Sequence, residues 1–238
     1  MSDPVAEFLR LHSSGCFVMP NPWDVGSARA LEQLGFKALA TTSAGLAWTL
    51  GRADTQVTRD QALDHLRQIA DAVTVPVNAD FEDGYASEPA QVAENVKMAA
   101  DTGIAGLSIE DASGDAAEPL YQFELALARV AAARRAIDES GTGLVLTARS
   151  EGFVCGRPDI DETIQRLRAY ADVGADCLYA PPDQPARPRH RRRGRGLTET
   201  DQSPDQHSVH DRGGGGATGS TTDQRGGHTG AYRVGWVP

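Results

Sequence analysis

Six short apolar runs alternate with helix-patterned stretches: Cys16–Met19, Ala38–Thr42, Val75–Phe81, Gly106–Ile109, Gly143–Ala148 and Cys177–Ala180. Runs this short, apolar throughout and separated by amphipathic segments, read as parallel strands buried on both faces by helices. The helical segments carry end signals. Thr58 and Gln61 have capping-box spacing ahead of Leu63, Leu66, Ile69 and Val73, and Ser87 stands as a cap before Val92, Val96 and Ala99. Gly35, Gly103 and Gly174 each lie between a helical run and the next strand, where a left-handed cap residue belongs. The chain over 1–184 is therefore a βα unit repeated six times.

Such a repeat builds either a doubly wound sheet or a (β/α)8 TIM-type barrel. Polar residues favour the barrel, because Ser43, acids and Arg149 stand at the C-terminal ends of successive strands. No glycine-rich phosphate fingerprint follows the first strand, as a dinucleotide-binding sheet would require. A full barrel needs eight units, so two are expected after Ala180, and no pattern for them follows.

The segment 185–238 obeys different rules. Its 54 residues hold six large apolar side chains without period, no Lys, Ile, Phe, Met, Asn or Cys, and nine Arg against five acids. It is read as a disordered tail on a barrel truncated after about six units. The missing residue types, Cys apart, are those with AT-rich codons, so a GC-rich gene read out of frame near Pro181–Pro185 accounts for the composition. An Arg/Gly-rich RNA-binding arm is the alternative, suggested by 190–196 and opposed by the acids and the lack of a repeated Arg-Gly-Gly period. The body carries −14 of the net −10 and the tail +4, which argues against nucleic acid as a partner of the folded part. Cys16, Cys155 and Cys177, odd in number and widely spaced, read as reduced thiols of a cytoplasmic protein, and no apolar run suits a membrane span.

The chemistry sits at the strand exits. Asp80, Glu82 and Asp83 follow the third run, and Glu110-Asp111 repeats the device one unit on. Five carboxylates on neighbouring strand ends repel one another unless a divalent cation or bound protons neutralise them, and a hard ion such as Mg²⁺ is the first candidate.

Five ordered motifs carry a family resemblance: Phe17-Val18-Met19-Pro20-Asn21-Pro22-Trp23-Asp24, Thr42-Ser43-Ala44-Gly45, Ala79-Asp80-Phe81-Glu82-Asp83-Gly84-Tyr85, Ile109-Glu110-Asp111 and Thr147-Ala148-Arg149-Ser150-Glu151. Together residues 16–181 resemble the phosphoenolpyruvate mutase/isocitrate lyase superfamily. The resemblance implies a (β/α)8 barrel and a Mg²⁺-dependent enzyme that makes or breaks a C–C or P–C bond of a small 2-oxo acid or phosphonate through an enolate. It implies Asp80 as direct metal ligand, with Glu82 and Glu110 supporting the metal largely through water. Ser43, Ala44 and Gly45 would hold the substrate carboxylate or phosphonate, Arg149 its oxygens, and Asp54 would serve as an acid/base near the reacting centre. The resemblance also implies a homo-oligomer built with C-terminal helices, a mode that the loss of those helices would impair here.

The lyases of this superfamily that cleave isocitrate or methylisocitrate carry a Lys-Lys/Arg-Cys-Gly-His segment after the Ile-Glu-Asp strand. Here residues 112–121 contain no cysteine, lysine or histidine, so the cysteine acid of that cleavage is missing. Trp23 and Trp48 are expected in the core, with pocket walls as the alternative. Two functional readings follow: an enzyme of this class, or an inactive truncated remnant of one.

Overall fold

The computed structural model describes residues 3–182 and 232–233. The sheet contains six parallel strands: β1 (Leu39–Ala40), β2 (Val77–Asp80), β3 (Gly106–Glu110), β4 (Val145–Arg149), β5 (Cys177–Tyr179) and β6 (Tyr232–Arg233). Their spatial order is their chain order, with no reversal. A doubly wound sheet reverses order at its switch point, so this singly wound succession is that of a barrel segment. The register brings Glu110 opposite Arg149 and Arg149 opposite Tyr179, while Asp80 pairs with Ser108, two residues before Glu110.

The helices are α1 (Pro4–His12), α2 (Val25–Gln33), α3 (Ser43–Thr49), α4 (Arg59–Ala72), α5 (Pro89–Ala100), α6 (Phe123–Ser140) and α7 (Ile160–Asp172). Strand side chains such as Ala79, Leu107, Ile109, Leu146 and Ala148 share a fully buried core with Leu66, Ile69, Val92, Val96, Val130, Ile137 and Tyr170 of the helices. α1 covers the opposite end of the strands from the acids, because Phe8 packs on Ala38, Ala105, Val145 and Cys177, all at or beside strand starts. Burying a phenylalanine this completely contributes about 1.5–3 kcal/mol. Among the described residues that plug covers the N-terminal strand ends, opposite the acids.

The capping box of Thr58 and Gln61 forms as expected. Gly35, Gly103 and Gly174 take positive φ of 91°, 84° and 102°. Two expectations are corrected. The cap of α5 is Glu88 rather than Ser87, because Pro89 takes the first helical position, where its missing N–H costs nothing. Cys16–Met19 forms no strand: contact with β1 begins at Pro20, whose carbonyl accepts from Ala40 N–H at 3.1 Å, and the flanking prolines Pro20 and Pro22 have no N–H to extend a ladder.

The readings of 185–238, as a disordered or out-of-frame tail or an RNA arm, lie outside the described residues apart from Tyr232–Arg233. Those two pair in parallel with Cys177–Leu178. Among the described residues no helix is long and apolar enough to cross a membrane.

Candidate active site

One guanidinium ties three strand-end carboxylates together. Arg149, the last residue of β4, places Nη1 2.9 Å from Glu110 Oε1 and 3.2 Å from Asp80 Oδ1, and Nε 2.8 Å from Glu151 Oε1. The four side chains are 18%, 16%, 15% and 4% exposed in the order Arg149, Glu110, Asp80, Glu151. Burial pushes the Glu110 and Glu151 carboxyls upward, and Arg149 opposes that shift only in part. Burial also disfavours the charged Arg149, but Glu110, Asp80 and Glu151 outweigh it and hold the guanidinium protonated. Its face lies 5.1 Å from the ring centroid of Tyr179, the next strand end.

Asp80 is held from the other side. Its Oδ2 accepts from Ser43 N–H at 2.9 Å and Ser43 Oγ at 3.0 Å, and its own N–H donates to Thr41 Oγ1 at 2.9 Å. Ser43 is the first residue of α3, capped by Thr42, whose Oγ1 accepts from Gly45 N–H at 3.2 Å. The expected substrate-binding triplet Ser43, Ala44 and Gly45 is therefore beside Asp80, with the Ser43 donors turned onto the carboxylate.

Gly45 is a close-approach position: a Cβ there would stand 2.5 Å from Thr42 Cγ2 and 2.7 Å from Trp23 Cδ1. Trp23 and Trp48 meet edge to face with centroids 6.0 Å apart and are 50% and 54% exposed. Core packing for this pair is thus overturned: the indoles lie on the outside of α3 and its approach, where no further layer of the described residues covers them.

Glu82 leaves β2 in a left-handed conformation, φ 46°, and Tyr85 repeats it at φ 56°. Such φ values are rare outside glycine. Tyr85 O–H donates to Glu82 Oε1 at 3.1 Å. Burial raises the Glu82 carboxyl to about 7; the tyrosine bond opposes the rise, and the charges of Asp80, Asp54 and Asp83 add to it. Asp54 sits on an exposed turn, where its Oδ1 accepts from Thr55 N–H at 3.0 Å, close enough for Glu82 to feel its charge. Of the sequence-predicted residues, Ser43, Asp80, Glu110 and Arg149 are bonded into one network, Glu82 adjoins it, and Asp54 stands at its rim.

The remaining acids are held by structural partners. Asp83 Oδ2 accepts from Tyr121 O–H at 2.8 Å. Asp111, 2% exposed, accepts from Glu151 N–H at 2.7 Å, Tyr170 O–H at 2.8 Å and Arg166 Nη1 at 3.3 Å.

The phosphoenolpyruvate phosphomutase family matches residues 8–187. The chain belongs to this family. Among solved structures, a Burkholderia cenocepacia J2315 protein described as a "putative lyase/mutase" is 47% identical with a TM-score of 0.74, over 75% of this chain and 65% of that one. Uncharacterized protein Rv1998c of Mycobacterium tuberculosis is 36% identical over 176 residues, 73% of this chain and 64% of the relative. An oxaloacetate decarboxylase of Rhodopseudomonas palustris is 32% identical over 178 residues, 71% of this chain and 59% of the relative. The chain thus spans less than two thirds of the length of these relatives.

The donor set of this phosphomutase-family site suits a hard divalent cation. Asp80, Glu82, Glu110 and Glu151 supply only carboxylate oxygens; Asp80, Glu110 and Glu151 share a single guanidinium, and Glu82, Glu110 and Glu151 are pushed toward their neutral forms. A divalent cation would relieve that imbalance. Among the described residues no group of three or more His, Cys, Asp or Glu side chains is placed to hold a metal ion together. Mg²⁺ does not need such a group, since it keeps several waters and takes one or two carboxylates.

Two buried arginines escaped sequence reasoning. Arg129 of α6 and Arg166 of α7 are 1% and 3% exposed and stand directly behind the acids. Nothing in a helical charge pattern separates them from exposed arginines such as Arg135 and Arg168.

Proposed function

We propose that this chain carries a Mg²⁺-dependent site of the lyase/mutase type, acting on a small 2-oxo acid or phosphonate by making or breaking a C–C or P–C bond beside an enolate. The observation that carries the reading is the convergence of Asp80, Glu110 and Glu151 on the partly buried Arg149 guanidinium at the C-terminal ends of β2, β3 and β4. Asp80 is the residue to hold Mg²⁺ directly, with Glu82 and Glu110 reaching it through water. When bound there, Mg²⁺ supplies positive charge to the substrate's 2-oxo and acid oxygens.

The chain's own residues then divide the work. Arg149 is kept protonated by its acids, so a fixed planar donor faces the oxygen on which enolate charge develops. Glu110 and Glu151 fix the plane of that guanidinium by taking Nη1 and Nε. Ser43 orients the Asp80 carboxylate through two donors and, with Ala44 and Gly45, offers small residues where a substrate acid group can approach. Asp54 is the candidate proton carrier at the rim. The absence of cysteine, lysine and histidine from 112–121 favours 2-oxo acid decarboxylation or P–C chemistry over cleavage that needs a cysteine acid. The oxaloacetate decarboxylase relative makes oxaloacetate the first substrate to try.

The test is Mg²⁺-dependent consumption of oxaloacetate or phosphonopyruvate by the chain and by Asp80→Ala. Turnover that disappears on chelation and in the variant is expected; equal turnover in both removes Asp80 from the metal site. A second reading, a chain that keeps the site without turning over, is favoured by the sheet itself. Among the described residues β1 and β6 each have a neighbour on one side only. Mg²⁺ uptake without turnover is its signature.

A further inference from the structure

We infer that Arg129 is a positioning residue that fixes the backbone carrying Glu82 and, through it, the acid side of the site. The inference rests on the reading of Glu82 and Glu110 as metal-side acids.

The segment Glu82–Ala86 is improbable on its own terms. Glu82 and Tyr85 hold left-handed backbone on either side of Asp83 and Gly84, conformations that persist only where the surroundings over-determine them. Arg129 supplies much of that determination. Its Nη2 donates to the carbonyl of Asp83 and to the carbonyl of Ala86, the latter at 2.9 Å. Nη1 reaches toward the Glu110 carbonyl at 3.5 Å. The same guanidinium stacks 3.7 Å over the Tyr121 ring, whose O–H donates to Asp83 Oδ2 at 2.8 Å, and Nη2 lies 3.5 Å from that oxygen. Asn95 Nδ2 of α5 donates to the carbonyls of Gly84 at 2.8 Å and Tyr85 at 3.4 Å, and the Glu82 carbonyl accepts from Glu110 N–H at 2.9 Å.

A cation 1% exposed is expensive, and an apolar side chain would fill the space behind a strand at lower cost. What an apolar side chain cannot do is bind two carbonyls of one tight turn and a carbonyl of the neighbouring strand end together. A planar fork does this and an ammonium does not. Groups one layer behind metal-binding side chains commonly govern affinity by orienting them.

Arg129→Lys keeps the charge and the helix and loses the fork. Two readouts apply to the full chain: amide hydrogen exchange, and Mg²⁺ binding by calorimetry. Expected is exchange faster by about tenfold or more at Gly84, Tyr85 and Glu110, whose N–H groups bond within this turn or to Glu82, with Leu146 on the far strand unchanged. Mg²⁺ affinity should fall about 10–100-fold. Arg135→Ala, on the exposed side of the same helix, should move neither. Exchange at the three amides within about twofold of wild type in a folded variant overturns the inference. If Arg129→Lys does not fold, wild-type exchange decides: Gly84, Tyr85 and Glu110 should be protected to a degree comparable with Leu146, and unprotected amides in this turn overturn the inference. Faster exchange in a protein whose wild type takes up no Mg²⁺ would instead defeat the metal reading and leave the positioning of Glu82–Ala86 standing.

Discussion

Arg149→Met removes the cation shared by one buried and two partly buried carboxylates and keeps most of the side-chain volume. Removing one partner of a buried ion pair typically costs about 3–5 kcal/mol, because a desolvated charge is left behind. Here the penalty can be partly relieved. Burial already pushes Glu110 and Glu151 upward, and Arg149 is the group holding them down, so in the variant both take up protons more readily. A carboxyl raised in the folded state binds more protons there than in the unfolded chain, and its contribution to stability is lost as pH rises above the unfolded value. The destabilisation should therefore be about 3 kcal/mol or more at pH 8 and shrink toward about 1 kcal/mol near pH 5. Against a domain stability of about 5–15 kcal/mol, the difference is readable by urea unfolding followed by circular dichroism. A loss of equal size at both pH values would mean that Arg149 contributes packing rather than charge balance. A loss under about 1 kcal/mol at pH 8 would refute the buried network as described.

Three further outcomes follow from the same geometry. Gly45→Ala drives a methyl group into Thr42 and Trp23, so it should cost about 1–3 kcal/mol and shift the tryptophan emission as the exposed indole moves. Without divalent cations, the rise of Glu82 from 4.5 to about 7 means that the folded state holds the extra proton between those values. Stability should thus decline as pH climbs through that window, by about 3 kcal/mol at most, and a melt series on Glu82→Gln should show the slope flattened. Tyr170→Phe strips a buried hydroxyl from Asp111 and should cost about 1–3 kcal/mol in urea unfolding without altering Mg²⁺ uptake.

The alternation of strand and helix was legible because both periods are written in local hydrophobicity, and so were Thr58, Gln61 and the three helix-ending glycines, whose roles depend on the backbone alone. The first strand was not: Cys16–Met19 has the right composition, yet pairing begins only at Pro20, where proline cannot continue it. Among the site residues, Asp80, Glu110 and Arg149 could be placed because a strand end fixes where its last side chain stands. The exposure of Trp23 and Trp48 was hidden, since an aromatic residue near a strand end looks the same in sequence whether or not another layer covers it. Arg129 and Arg166 were hidden for the opposite reason. Their burial depends on carbonyls and carboxylates brought from 46 and 55 residues away, which no helical pattern records.

The central claim, that Asp80 anchors a divalent cation among the strand-end acids, is tested most directly by calorimetric titration of Mg²⁺ into the wild-type chain and Asp80→Ala. Saturable binding of one Mg²⁺ equivalent by wild type, weakened about 100-fold or abolished in the variant, is the expected result. Equal binding by the two proteins, or none by a folded wild type, would contradict it.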